Sequence, residues 1–143
     1  MAEVYARVIV PRPLDEAFTY RVPSQLEKSV GVGHRVVVPF GGKRFVTGIV
    51  ESLSPVKPAD VASVKEIAEV LDPGPMVVHP QIKFWQWLAD YYMCAVGDVY
   101  KAAVPAGLKL ESESVVEADP DADPELLGAL TAKDFALVET VRN

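Results

Sequence analysis

Lys43 and Arg44 follow two adjacent glycines in the stretch PFGGKRFVTG, Pro39–Gly48. The chain as a whole is acidic, with a formal charge of -6, yet no Asp or Glu occurs from Lys28 to Val50. Glycine beside lysine is the chemistry of a phosphate-cradling loop. The G-x-x-x-x-G-K-[ST] pattern set on Gly42-Lys43 needs glycine at 37 and Ser or Thr at 44. The chain has Val37 and Arg44 there, so this is no nucleotide loop. Gly31 and Gly33 open a G-x-G, but Val36 stands where the dinucleotide fingerprint needs its third glycine. His34 and His79 lie far apart with no cysteine or second histidine near either, so no metal site is expected. Cys94, the single cysteine, reads as a small buried apolar residue. Carboxylates are plentiful, but no pair stands out as general acid and base, so the residues argue for no enzyme.

Binding remains. A small barrel with glycine-rich turns, local cations and exposed aromatics can stack a base and neutralise phosphates. The candidates are Phe18 and Tyr20, on one face of a strand, with Lys43, Arg44 and Lys65. The plainer alternative makes Phe18 and Tyr20 core, and Lys43 and Arg44 a solvated hairpin tip.

The elements that must position these residues are mostly strands. Val4–Val10 is rich in β-branched residues, and Pro11 and Pro13 close it. Ala17–Val22 alternates. Gly31 and Gly33 mark a turn before His34–Phe40, which forms a hairpin with Arg44–Leu53. Gly48 within that last strand suggests a bulge or tight bend. Val64–Leu71 reads as a fifth strand or a short helix. After the breaker DPGP, a helix is expected from His79, with Phe84, Leu88 and Tyr91 on one apolar row and Trp85, Ala89 and Tyr92 on a second. So wide an apolar surface predicts packing on more than one side. Asp98 is expected to cap a short helix ending before Pro105.

The fold expected is α+β: a small antiparallel β-barrel-like domain over about 1–72, then a short helical part over about 76–108. Residues 109–124 read as an acidic linker, since 111–125 hold seven acidic residues and no basic one. Over 125–143, Asp123-Pro124 and Thr131 with Asp134 are helix-start signals. The last helix has little to pack on, so the chain is expected to be a piece of something larger. The start lacks the features of a signal peptide and no run is long enough to span a membrane, so a cytoplasmic location is expected.

Taken in order, VIVPRPLDEAFTYRVP, GVGHRVVVPFGGKRFVTGIV, VKEIAEVLDPGP and FWQWLADYYMCAVGDVYKAAVPAGLK resemble the N-terminal region of the primosomal protein N′ (PriA) family of replication-restart helicases. The resemblance spans about residues 4–109. It implies a module that binds DNA at the 3′ end of the nascent leading strand of a stalled fork. It implies a pocket for the terminal nucleotide and its free 3′-hydroxyl, at Phe18, Thr19, Tyr20, Gly41 and Lys65. Thr19 stands where well-known members carry an aspartate that contacts the terminal base. A hydroxyl can donate or accept, but it carries no charge. The resemblance also implies that 125–143 begin a winged-helix domain. ATP, magnesium and zinc would belong to helicase lobes outside this chain, with no cofactor in the chain itself. Partners would be those lobes, the winged-helix domain, other primosome proteins and single-strand-binding protein, with a nucleoid-associated location. The alternative function is a protein-interaction module whose aromatic helix, Ile82–Met93, docks a larger nucleic-acid machine.

Overall fold

The computed structural model describes residues 3–59, 63–110 and 131. The readings of 109–124 as a linker, Lys109 and Leu110 apart, and of 125–143 as a winged-helix start, Thr131 apart, therefore lie outside the described residues. Five strands come first: β1 (Val4–Ile9), β2 (Phe18–Val22), β3 (Arg35–Pro39), β4 (Phe45–Ser54) and β5 (Glu69–Val70). Helices α1 (His79–Tyr92) and α2 (Val96–Ala103) follow, then a single 3-10 turn at Ala106–Leu108. The expected α+β order of a curled antiparallel sheet and then helices is what the chain adopts.

The strands form one antiparallel sheet in the order β2-β1-β4-β3-β5. Val64–Leu71, left open between strand and helix, is extended. Its far end pairs with β3, where Ala68 N–H donates to Val37 (2.9 Å) and Leu71 N–H to Arg35 (3.0 Å). Its near end pairs with β2, where Arg21 N–H donates to Lys65 (2.8 Å) and Ile67 N–H to Arg21 (3.0 Å). One segment, here termed the seam, thus supplies hydrogen-bond partners to both open edges and closes the sheet. Edge satisfaction decides a conformation that local propensity leaves undecided.

Alternation along the strands builds two cores. Ala6, Val8, Tyr20, Val22, Val36, Val38, Val46 and Val50 fill the inside of the curl. Ile9 and Ile49 point outward and meet Ile82, Trp85 and Ala89 of α1 and Val96 and Tyr100 of α2. Tyr100 is fully buried and donates to the Thr47 carbonyl at 2.9 Å. Thr47 in turn donates through its N–H (3.0 Å) and hydroxyl (2.8 Å) to the Leu110 carbonyl, so residue 110 is bonded to β4.

Four expectations need correction. Gly48 pairs regularly with Val36; the bulge comes later, where Val8 faces Val50 but Arg7 faces Ser52, leaving Glu51 as the extra residue. Among the described residues, helix α1 packs on one side, through Ile82, Trp85 and Ala89, and Phe84, Trp87, Tyr91 and Tyr92 stay exposed. Cys94 is exposed, because Met93 ends α1 in a left-handed conformation and turns the chain outward. Ala95 occupies the N-cap of α2, which starts early enough to bury Val96 and Gly97 against the end of β1. Asp98 therefore sits inside the first turn, where its charge suits the helix dipole.

Arg35 joins three parts of the domain. Its guanidinium grips Asp72 through two bonds (2.7 and 2.5 Å) and donates to the Leu108 carbonyl (2.8 Å). The Arg35 hydrogen bonds hold the Asp72 carboxyl below its ordinary value of 3.8, outweighing burial. A depressed carboxylate contributes stability that is complete above that ordinary value and is lost as pH falls through the native one. Asp72→Asn is expected to cost about 2 kcal/mol at neutral pH. Its melting temperature should also fall less than that of the wild type as pH drops below 3.8. Thermal melts across an acid series check both effects.

Candidate nucleic-acid interface

Curling the sheet brings three distant pieces to one rim. The start of β2, the end of β3 and the start of the seam enclose a cleft of about 300 Å³. Its lining is Phe18, Thr19, Tyr20, Pro39, Phe40, Gly41, Ser63 and Lys65. All five residues implied for the pocket thus fall around one opening. Lys43 and Arg44 do not line it; they are exposed at the tip of the β3–β4 hairpin, two and three residues beyond Gly41.

Phe18 and Tyr20 divide between the two roles considered for them. In register with Val8 and Ala6, both sit on the inner face of β2. Tyr20 is buried, and its hydroxyl donates to the Pro39 carbonyl at 3.1 Å, tying β2 to the end of β3. Burial pushes its pKa up to about 12, so the phenol stays neutral and keeps its proton to donate. Phe18 reaches the mouth, 37% exposed, with its ring edge-on to Phe40 at 5.4 Å. The wall is therefore aromatic, and part of it is open to a flat ligand.

Thr19 lies on the opposite face of β2, in register with Arg7. Peptide groups two residues apart on a strand point the same way. Since Arg21 directs its N–H and C=O to the seam, Thr19 directs its own toward the same side, where the cleft opens. It thus contributes main-chain donor and acceptor whatever its side chain. Lys65 is fixed through its carbonyl, bonded to Arg21, and its exposed side chain stands at the rim.

Gly41 and Gly42 both have positive φ, 66° and 84°. Together they reverse the chain between β3 and β4, closed by Phe40 N–H donating to Arg44 at 2.8 Å. A Cβ at Gly41 would meet nothing within 4 Å, so its backbone borders open space.

Pro39, Phe40 and Ser63 were missed by reasoning from sequence. Phe40 adjoins Gly41 and Ser63 lies two residues before Lys65, so nearness in sequence to the implied pocket residues was the signal for both.

Residues 7–105 match the family model of the PriA 3′DNA-binding domain (3′BD). A replication restart protein PriA from Treponema pallidum is 37% identical over 98 residues, covering 66% of this chain and 15% of that protein. The Bacillus subtilis PriA is 30% identical over 122 residues, covering 83% of this chain and 15% of that protein. The Haemophilus influenzae PriA is 34% identical over 113 residues, covering 79% and 15%. The chain thus spans about one-seventh of the length of these relatives. With the matched segment running from β1 to the end of α2, the chain belongs to the PriA 3′DNA-binding domain family.

Proposed function

We propose that this chain is the DNA-binding module of a replication-restart helicase, and that its cleft receives the 3′-hydroxyl end of a nascent leading strand at a stalled fork. The observation that carries this reading is the gathering of Phe18, Thr19, Tyr20, Gly41 and Lys65 around one opening sized for a single terminal residue. Phe18 offers a ring for stacking the last base, worth about 1–3 kcal/mol in comparable sites. Main-chain groups at Thr19 serve the terminal hydroxyl, and Lys65 meets the adjoining phosphate. The remainder of the longer protein would supply the ATP-dependent 3′–5′ helicase, with its magnesium and zinc. Primosome proteins and single-strand-binding protein would be partners of that whole protein, in the cytoplasm at the nucleoid. No described helix is long and apolar enough to cross a membrane.

An end site needs few phosphate contacts, which suits a chain of charge -6. Two or three contacts on a single strand predict a shallow salt slope, about -0.7 for each. The test is fluorescence anisotropy with partial-duplex DNA ending in a 3′-hydroxyl or a 3′-phosphate. Preference for the hydroxyl is expected; equal binding to both would sink end recognition. Lys65→Ala is expected to weaken binding about tenfold, equivalent to about 1.4 kcal/mol. Its melting temperature should stay within a degree or so, since the carbonyl bonded to Arg21 is retained. An unfolded variant would make the side chain structural instead.

A second reading, a docking module, is favoured by α1. Phe84, Trp87 and Tyr91 form an exposed row of stacked rings, with centroids 6.0 and 5.2 Å apart. Concentration-dependent self-association without DNA affinity would favour docking over end binding.

A further inference from the structure

Two openings of opposite charge flank the start of β2. On one side is the cleft, with Lys65 at its rim and Lys43 and Arg44 just beyond Gly41. No carboxylate occurs between Lys28 and Val50. On the other side, Ala17, the residue before Phe18, borders a groove of about 690 Å³ between the β1–β2 connection and the end of α1. Asp15, Glu16, Glu51 and Asp90 line that groove. Among the described lining residues the one cation is Arg7, whose Nε lies 3.1 Å from Glu51 and is already engaged.

We infer that a strand whose 3′ end sits in the cleft leaves it over the β3–β4 hairpin tip, with Asp15 and Glu16 barring the opposite path. This inference rests on the end-binding reading above and adds a direction to it. Of the lips the penultimate phosphates can cross, the hairpin side carries Lys43 and Arg44 and the β1–β2 side carries Asp15 and Glu16. A phosphate passing Asp15 and Glu16 meets two exposed like charges within about one Debye length, roughly 10 Å at 0.1 M salt. One passing Lys43 and Arg44 meets two opposite charges instead. Those carboxylates bind nothing in this scheme. Their part is to make the wrong path repulsive, so the DNA lies on the hairpin side and the acidic groove stays clear of it.

The lone cysteine makes the path measurable, because Cys94 is exposed and lines the acidic groove. A photo-crosslinker is attached either to Cys94 or, in a Cys94→Ser background, to Phe45→Cys beside the hairpin tip. Phe45 is 42% exposed and lies outside the cleft. The probe DNA is the partial duplex with a free 3′-hydroxyl. Crosslinks are expected from position 45 to the nucleotides next to the terminal one, and not from Cys94. A charge series reads the same path without a label. Lys43→Glu with Arg44→Glu should lower affinity tenfold or more and flatten the salt slope by about 1.4, the loss of two contacts. Asp15→Asn with Glu16→Gln should leave affinity within about twofold, because no phosphate passes directly over them on this path. Crosslinking from Cys94 equal to that from position 45, or equal effects of the two charge pairs, overturns the path while end binding stands. A wild type indifferent to the 3′-hydroxyl overturns end binding, and the path with it.

Discussion

Gly97→Ala is expected to destabilise the domain by about 3 kcal/mol or more, among the larger effects of a single methyl group. Gly97 opens α2 where that helix meets the chain leaving β1. An added Cβ would stand 2.0 Å from the Arg12 carbonyl oxygen and 2.5 Å from that of Val10. Both are main-chain atoms, so no rotamer change relieves the contact. Their position is held by Arg12 N–H donating to Val10 and Leu14 N–H donating to Arg12, each at 2.8 Å. Relief requires moving α2, and with it Tyr100 and its bond to Thr47. Circular dichroism melts should show a fall of about 15 °C, at roughly 5 °C per kcal/mol for a domain of this size. Gly107→Ala is the control, since nothing lies within 4 Å of a Cβ there. A Gly97 variant that melts with the wild type would show that α2 can slide without cost.

On the proposed end-binding function, Gly41→Asn is expected to reduce affinity for a 3′ end by tenfold or more while leaving the fold intact. Asparagine is among the few side chains that tolerate positive φ, so the turn at φ 66° survives. The new side chain would occupy the open space beside the cleft, which this glycine borders. Gly42→Asn is the matched comparison. It has the same kind of backbone, φ 84°, and equally open surroundings, but does not line the cleft. Equal affinities for the two variants would remove Gly41 from the site. A large loss at 41 alone would place the strand end against that turn.

The strands were legible because runs such as VYARVI and FVTGIV carry β-branched residues in alternation, and their ends fall within a residue or so of expectation. The start of α1 was legible too, from the breaker DPGP and the helical apolar spacing after His79, and in the structure Gln81 accepts from Val78 N–H at 3.0 Å. What local pattern could not show was the partner across space. Whether Val64–Leu71 is a strand depends on two open edges contributed by residues far away. Whether Tyr92 or Cys94 is buried depends on how many sides of α1 find a neighbour, and only one does among the described residues. Gly48 was read as a mark of irregularity, but it serves close approach, with Val8 Cγ1 only 2.2 Å from where its Cβ would stand. At the cleft, residue types singled out Phe18 and Tyr20, and the resemblance supplied Thr19 and Gly41. Neither reached Phe40 or Ser63, whose place follows from the curl of the sheet.

The seam also constrains the order in which the molecule can be assembled. Strands β1 with β2, and β3 with β4, pair with near neighbours and can form early. Residues 65–71 bond to β2 at one end and β3 at the other, so they can zip only after both edges stand in place. The cleft takes one wall from each of these three pieces. Chains in which the seam has not yet zipped therefore lack the complete cleft, so anything the cleft holds can be held only after the last non-local contacts of the fold are made.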